Sequence, residues 1–213
     1  MRTRRTISLV LAVVSLSGLS CEWMRTRNYN IDKASPNGTY RVRIDARVQD
    51  DEQNYFGFHE QVKIRFFKGQ EIVLSREWQR TDSMEATFVQ AHPVVEWASD
   101  NVLRMGAEIA GRPFLDEIIV SNQSGEQLKY VDVSYGRYES FTGFDVAAGN
   151  TMTLHVAPVF QSGPTLADYN FVGYGGETTS GKKFEGNLKD ERRRIPADGQ
   201  LKFKITINAE DLR

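Results

Sequence analysis

The stretch GGETTSGKK, residues 175–183, contains the residue types and spacing that come closest to a known chemical site. Gly176 is followed after four residues by Gly181 and Lys182, as in a P-loop that holds phosphate with backbone amides and a lysine. That loop needs Ser or Thr after the lysine to reach Mg²⁺, and Lys183 stands there. It also opens a helix, whereas FEGNL follows here, with Gly186 inside it. We therefore expect a hairpin turn and no nucleotide binding.

The three histidines, His59, His92 and His155, are isolated in the sequence. No pair has the spacing by which a helix or a strand directs two imidazoles at one metal ion. In TMTLHVAPV, His155 stands between the apolar residues Leu154 and Val156. Since neighbouring side chains of a strand point to opposite faces, His155 is predicted to lie on the solvent side.

The acidic stretch QDDEQN, residues 49–54, offers Asp50, Glu52 and Asn54 at alternate positions, like the first ligands of a calcium loop. Such a loop also needs a glycine at its sixth place and a carboxylate at its twelfth, and Gln61 stands at the twelfth. The nucleophile motif G-x-S-x-G does not occur. We expect no metal site, no cofactor and a non-enzymatic protein.

Two stretches rich in aromatic residues and glycine are candidates for contact loops, NYFGFH (54–59) and YNFVGYGG (169–176). Tyr and Phe supply large, rigid contact areas, although in these stretches they could equally plug the end of a β-sandwich. The side chains assigned to partner or ligand contacts are Tyr55, Phe56, Phe58, His59, Tyr169 and Tyr174.

The charge run KDERRR, residues 189–194, is expected to form a solvated loop. The alternative is a contact with anionic phospholipid headgroups or with an acidic partner. Arg192, Arg193 and Arg194 would carry that contact.

The elements that must position these residues are predicted to be strands. TYRVRIDARV (39–48) alternates apolar and charged residues, which is typical of a strand with one buried face. Similar runs are QVKIRFF, EIVLSREW, PVVEW and VLRMG, whereas TDSMEATFVQA (81–91) fits either a strand or a short helix opened by a capping box of Asp82 and Glu85. From Phe114 onward, seven short strands separated by turn signals predict an immunoglobulin-like β-sandwich.

These patterns predict an all-β chain with few or no helices. We expect an antiparallel β-meander over residues 37–110 and an immunoglobulin-like sandwich over 113–209, or one merged sandwich. SPNGTYRVRI and VEWASDNVLRM resemble the SPDG and W-S-x-D/N segments of TolB-type propeller blades and of small envelope proteins that use one such sheet. A propeller requires repeated units, and this unit occurs once.

The N-terminus has the three parts of a secretory signal peptide: Arg2, Arg4 and Arg5, an apolar run from Ile7 to Leu19, and a small residue before Cys21. GLSC (18–21) resembles a bacterial lipobox, whose cysteine is acylated before cleavage. The mature part resembles small all-β envelope lipoproteins with an immunoglobulin-like sandwich. The resemblance implies a signal peptide over 1–20, lipidation at Cys21 and a tether over 21–36.

The composition restricts the partners. The chain of 213 residues carries 27 basic and 28 acidic side chains, so no basic surplus indicates nucleic-acid binding. Cys21 is the only cysteine, which excludes an internal disulfide. We expect a lipoprotein held by its acyl chains in the outer membrane, facing the periplasm; the alternative is the inner membrane. It would bind an envelope protein as an inhibitor, immunity or assembly accessory; the alternative is a carbohydrate or small ligand held by the aromatic loops.

Overall fold

A computed structural model describes residues 26–50, 57–82, 87–106, 116–135, 139–156, 171–189 and 202–213. The first six strands are β1 (Thr26–Ala34), β2 (Tyr40–Asp50), β3 (Phe58–Lys68), β4 (Glu71–Asp82), β5 (Val94–Ser99) and β6 (Val102–Gly106). The others are β7 (Asp116–Gln123), β8 (Leu128–Tyr135), β9 (Glu139–Val146), β10 (Thr151–Val156), β11 (Phe171–Thr178), β12 (Lys183–Lys189) and β13 (Lys202–Asn208). One helical turn, α1 (Phe88–Ala91), and one 3-10 turn (Ala209–Asp211) complete these ranges. The predicted all-β class is confirmed.

The first four strands form an antiparallel meander in the order β1-β2-β3-β4. The side chains of β2 that the sequence alternation assigned to the buried face do lie on the inner face of the meander, where every second residue of the strand is buried. The buried side chains are Tyr40, Val42, Ile44, Ala46 and Val48.

Strand β1 lies within the segment expected to serve as a tether. It pairs with β2 over its whole length, from Thr26 opposite Gln49 to Ala34 opposite Arg41. An edge strand packs little side-chain surface, and only Tyr29 and Ile31 of β1 are half-buried. The sequence of this strand therefore lacks the apolar alternation by which the other strands were predicted.

The segment that fitted either a strand or a helix, residues 81–91, is divided: Thr81 and Asp82 end β4, residues 83–86 lie outside the described ranges, and Phe88–Ala91 form α1. The Thr87 hydroxyl accepts a hydrogen bond from the backbone amide of Gln90, and the Gln90 side-chain oxygen accepts one from the Thr87 amide. The capping box thus consists of Thr87 and Gln90, five residues after the one considered from sequence. α1 is fixed to the meander because the Phe88 amide donates to the buried carboxylate of Glu60, at 2.6 Å.

A six-stranded sheet of order β12-β11-β8-β9-β6-β5 lies between the meander and a three-stranded sheet of order β10-β7-β13. One core, which includes Leu103 and Phe144, joins the six-stranded sheet to the meander. The other, which includes Val131, Ile118 and Ile205, joins it to the three-stranded sheet. The predicted sandwich is thus confirmed, and β13 adds a parallel pairing to β7 that the sequence did not predict.

The two segments that resemble TolB blades contact each other. The amide of Asn37, in the SPNG turn, donates to Asp100 in the ASDN turn at 3.1 Å. The indole of Trp97 donates to the carbonyl of Lys33 at 3.1 Å and stacks on Tyr40. The β5–β6 hairpin, which the sequence grouped with the meander, hydrogen-bonds to β9. The boundary near residue 110 stays a prediction.

Candidate functional site

A concave surface lies where the six-stranded sheet extends past the edge of the meander. We call it the β11 cleft, and it holds about 580 Å³. Its wall is Arg76 on β4, and its floor is formed by β8, β11 and β12. The other lining residues are Asp132, Val133, Ser134, Ser140, Gly173, Tyr174, Gly175, Glu185, Gly186, Asn187 and Arg213.

Glycines make the floor of the cleft low. Side chains alternate between the two faces of a strand, so Gly173 and Gly175 lie on the same face of β11. Their cross-strand neighbours on this face are Ser134 and Asp132 of β8. A Cβ at Gly175 would lie 3.3 Å from the Phe184 carbonyl, with space above it. A larger side chain at this position would therefore project into the cleft.

An ion pair fixes the wall of the cleft. Arg76 of β4 pairs with Asp132 of β8 and thereby connects the two sheets. The second oxygen of Asp132 accepts from the Thr142 hydroxyl at 2.8 Å. The Arg76 guanidinium also lies 5.8 Å from the centre of the Phe66 ring, within the range of a cation–π contact.

The C-terminal residue closes one end of the cleft. The backbone of Arg213 exchanges two hydrogen bonds with that of Lys183 at the outer edge of β12, at 2.8 and 2.9 Å. Its guanidinium lies 3.9 Å from the carboxylate of Glu185, and both side chains are largely exposed. Charges of both signs, hydroxyls and an amide therefore surround the same open space.

The groups that line the cleft are hydrogen-bond donors and acceptors and charges of both signs. The described residues contain no group of three or more His, Cys, Asp or Glu that could hold a metal ion. Beside the cleft, burial raises the pKa of the Tyr130 hydroxyl, with Asp132 and Glu177 adding to the effect. Tyr130 is therefore a neutral hydrogen-bonding group at neutral pH.

Three residues predicted to make contacts have defined positions. Phe58 is buried, with the Arg80 guanidinium 5.3 Å from its ring centre, so the predicted surface contact does not hold for this side chain. His59 is exposed, and its Nδ1 lies 2.8 Å from the Thr81 hydroxyl. Tyr174 lies on β11, but its half-buried ring crosses Gly186 on the face away from the cleft, so only its backbone lines the site.

The remaining predicted site residues lie outside the described ranges. They are Cys21, Tyr55, Phe56, Tyr169, Arg192, Arg193 and Arg194. Their lipidation and contacts stay predictions.

The hairpin expected for GGETTSGKK is confirmed, because this segment joins β11 to β12. Gly181 takes a positive φ of 89° at its turn. The Lys182 ammonium and the Ser180 hydroxyl both donate to Glu126. Hydrogen bonds from Lys182, Ser180 and Thr178 lower the pKa of Glu126 to about 2. The lysine that would hold phosphate in a P-loop is thus engaged with a carboxylate.

The histidines do not converge. His155 is exposed beside the buried Leu154, as predicted. His92 stacks on Phe88 with ring centres 4.7 Å apart, and burial lowers the pKa of its imidazole.

A buried ion pair on the other face of the six-stranded sheet is structural. Arg104 donates twice to Glu139, at 2.8 and 2.9 Å, and once to Glu96, at 2.8 Å. The side chains of Arg104 and Glu139 are 5% and 2% exposed, so a soluble ligand does not reach them.

Sequence reasoning singled out the stretch that contains the lining residues Gly173, Tyr174 and Gly175, but it missed the other residues of the β11 cleft. Arg76, Asp132 and Glu185 are ordinary polar residues of alternating strands. The available signal was glycine within predicted strands, in NFVGYGG and KKFEGNL, because such glycines mark close approach of a backbone or ligand.

No protein-family model, curated protein or solved structure matches this chain. No helix in the described ranges is long and apolar enough to span a membrane.

Proposed function

We propose that this chain is a non-enzymatic, lipid-anchored protein of the bacterial envelope that binds a partner protein in the β11 cleft. The observation that supports binding is the cleft itself, an open polar surface with a glycine floor. Its lining presents hydrogen-bond donors and acceptors, and the described residues contain no metal-ligating cluster.

The form of the cleft favours an extended polypeptide segment. β4 forms one side of the cleft, and within the described residues it pairs only with β3. An unpaired strand edge offers backbone amides and carbonyls to an added strand. Glu185, which is 80% exposed on the β12 side of the floor, supplies a negative charge for the partner's side chains.

The anchor is proposed from the N-terminal sequence. Thr26, the first residue of β1, follows Cys21 by five positions. An acyl group at Cys21 would therefore hold the meander close to the membrane surface. In the outer membrane this would place the β11 cleft in the periplasm. A Cys21→Ser variant that still carried a fatty-acid label would contradict the anchor without affecting the cleft.

The binding proposal is tested by purifying the full chain from crosslinked cells and comparing the proteins retained. We expect the wild-type chain to retain one stoichiometric partner, and Gly175→Val to lose it because two methyl groups fill the floor. Glu185→Lys reverses an exposed charge without disturbing the core and should also weaken retention. Lys202→Ala, on β13 away from the cleft, is the matched control and should retain the partner.

Equal retention by wild type, Gly175→Val and Glu185→Lys would contradict the proposal. So would loss of the partner from Lys202→Ala alone.

A further inference from the structure

A second concave surface lies on the solvent face of the meander, away from the β11 cleft. It holds about 410 Å³. Its lining residues are Asn28, Asn30, Asp45, Ala46, Arg47, Gln61, Val62, Lys63 and Glu77.

One row of side chains crosses this face from edge to edge. Asn28 of β1 is opposite Arg47 of β2, Arg47 is opposite Gln61 of β3, and Gln61 is opposite Gln79 of β4. We call these four residues the amide row. It spans about 14 Å, since neighbouring strands lie ~4.8 Å apart. All four side chains are exposed.

The side chains of the amide row are distinguished by their lack of polar partners within the described part of the protein. None of its four side chains makes a hydrogen bond or an ion pair in the part of the chain that the structure describes. The other cations of this face are engaged: Arg41 and Arg43 with Asp32, Arg65 with Asp45, and Lys63 with Glu77. Arg47 is thus the one cation of the described solvent face of β2 and β3 that has no ion-pair partner.

The chemistry of the row matches a sugar chain that carries carboxylates. Each carboxamide presents both a donor and an acceptor, the two roles that a sugar hydroxyl or acetamido group also plays. A guanidinium binds a carboxylate with two parallel hydrogen bonds. The pleated sheet holds these groups in line at a regular spacing, as the repeating units of a polymer require.

The neighbouring row restricts the charge of the ligand. Asn30, Asp45, Lys63 and Glu77 follow in register, and two of these four are acidic. A polyphosphate or nucleic acid would bring closely spaced negative charges against Asp45 and Glu77. A chain with one carboxylate per repeat would place that carboxylate on Arg47 and neutral hydroxyls over the acids.

We propose that the amide row binds an anionic oligosaccharide, with Arg47 holding a sugar carboxylate and Asn28, Gln61 and Gln79 binding hydroxyl or acetamido groups. This site is separate from the β11 cleft, and it also differs from the aromatic loops considered for carbohydrate from sequence. A lipid-anchored protein with both sites would link an envelope polymer to a partner protein.

Two oligosaccharides that differ in their carboxylates test the proposal by calorimetric titration of the full chain in detergent. A hyaluronan hexamer alternates glucuronate with N-acetylglucosamine, whereas chitohexaose contains N-acetylglucosamine only. We expect saturable binding of the hyaluronan hexamer and weaker binding of chitohexaose. Arg47→Gln should weaken hyaluronan binding by at least about tenfold, because hydrogen bonds to charged groups contribute more than neutral ones. Asn28→Ala and Gln61→Ala should each weaken it several-fold.

Arg43→Gln is the matched control, because it removes a cation of the same strand face that Asp32 already engages. It should bind hyaluronan as the wild type does. Absence of saturable binding to the hyaluronan hexamer would overturn the proposal. Equal binding of both oligosaccharides, or equal losses in Arg43→Gln and Arg47→Gln, would also overturn it. Neither result would bear on the partner bound in the β11 cleft, which is read out by protein retention.

Discussion

At the scale of single residues, Asp145 has the most demanding position in the described chain. It is the one non-glycine residue there with a positive φ, at 54°. Its carboxylate accepts hydrogen bonds from Tyr40 of β2, Lys68 of β3 and Gln127, which precedes β8. Asp145 itself lies on β9, so this one side chain connects the meander to the six-stranded sheet. These contacts stabilise a backbone conformation that costs about 1–2 kcal/mol for an L-residue.

The acid stability of the protein should depend on Asp145. Burial alone would raise the pKa of its carboxyl group, but hydrogen bonds from Lys68 and Tyr40 outweigh burial and lower it. A carboxyl whose pKa is lower in the folded state stabilises fully above its unfolded pKa, and this stabilisation is lost as the pH falls through the folded value. Asp145→Asn should therefore lose less unfolding free energy than wild type between about pH 7 and about pH 3, measured by urea unfolding.

Replacing the whole Asp145 side chain should lower the unfolding free energy by more than Asp145→Asn does. Asp145→Ala should lower the unfolding free energy at neutral pH by about 2–3 kcal/mol, since Tyr40 and Lys68 lose an acceptor. Asp145→Asn keeps an acceptor and tolerates positive φ, so its cost should be smaller. Equal stability of Asp145→Ala and wild type would contradict the role of this residue in joining the sheets.

At the scale of elements, β11 shows two adjacent glycines with different functions. A Cβ at Gly176 would lie 2.4 Å from the Tyr130 carbonyl, a backbone atom that has no room to move. A Cβ at Gly175 would lie 3.3 Å from its closest neighbour and point into the cleft. Gly176 thus permits the packing of β11 against β8, whereas Gly175 keeps the cleft open.

Alanine at these two positions separates the functions. Gly176→Ala should destabilise the fold by about 3 kcal/mol, the cost of forcing a methyl group into a filled site. Gly175→Ala should change stability by less than about 1 kcal/mol, because alanine also loses less backbone freedom on folding. Thermal and urea unfolding of the two variants measure the difference. A similar loss in both would show that neither glycine has the role described.

The elements themselves were largely predictable from sequence, and the site was not. Alternation located β2 and its buried face, and turn residues located the seven strands after Phe114, because both signals are local. β1 was missed since its partner, β2, supplies most of its stabilisation. The β11 cleft and the amide row bring together residues from strands far apart in the chain, such as Arg76 with Glu185 and Asn28 with Gln79. Cross-strand register determines both sites, and the sequence of one strand does not encode it.

At the scale of the whole molecule, the cleft follows from unequal sheet sizes. A four-stranded meander covers one face of a six-stranded sheet, so part of that face, at β11 and β12, extends beyond the edge at β4. The ion pair between Arg76 and Asp132 marks the line where coverage ends. The sequence could predict a sandwich, but the number of strands in each layer depends on the pairing of β6 with β9, which adds the β5–β6 hairpin to the six-stranded sheet and which only the structure shows.

The central claim is that a partner protein occupies the β11 cleft, and site-specific photocrosslinking in cells tests it most directly. A photoreactive residue at Ser140, in the cleft, is compared with one at Ser75, on the solvent face of β4. We expect a single crosslinked protein from Ser140, its disappearance in combination with Gly175→Val, and no such product from Ser75. The same product from both positions, or no product from Ser140, would contradict the account.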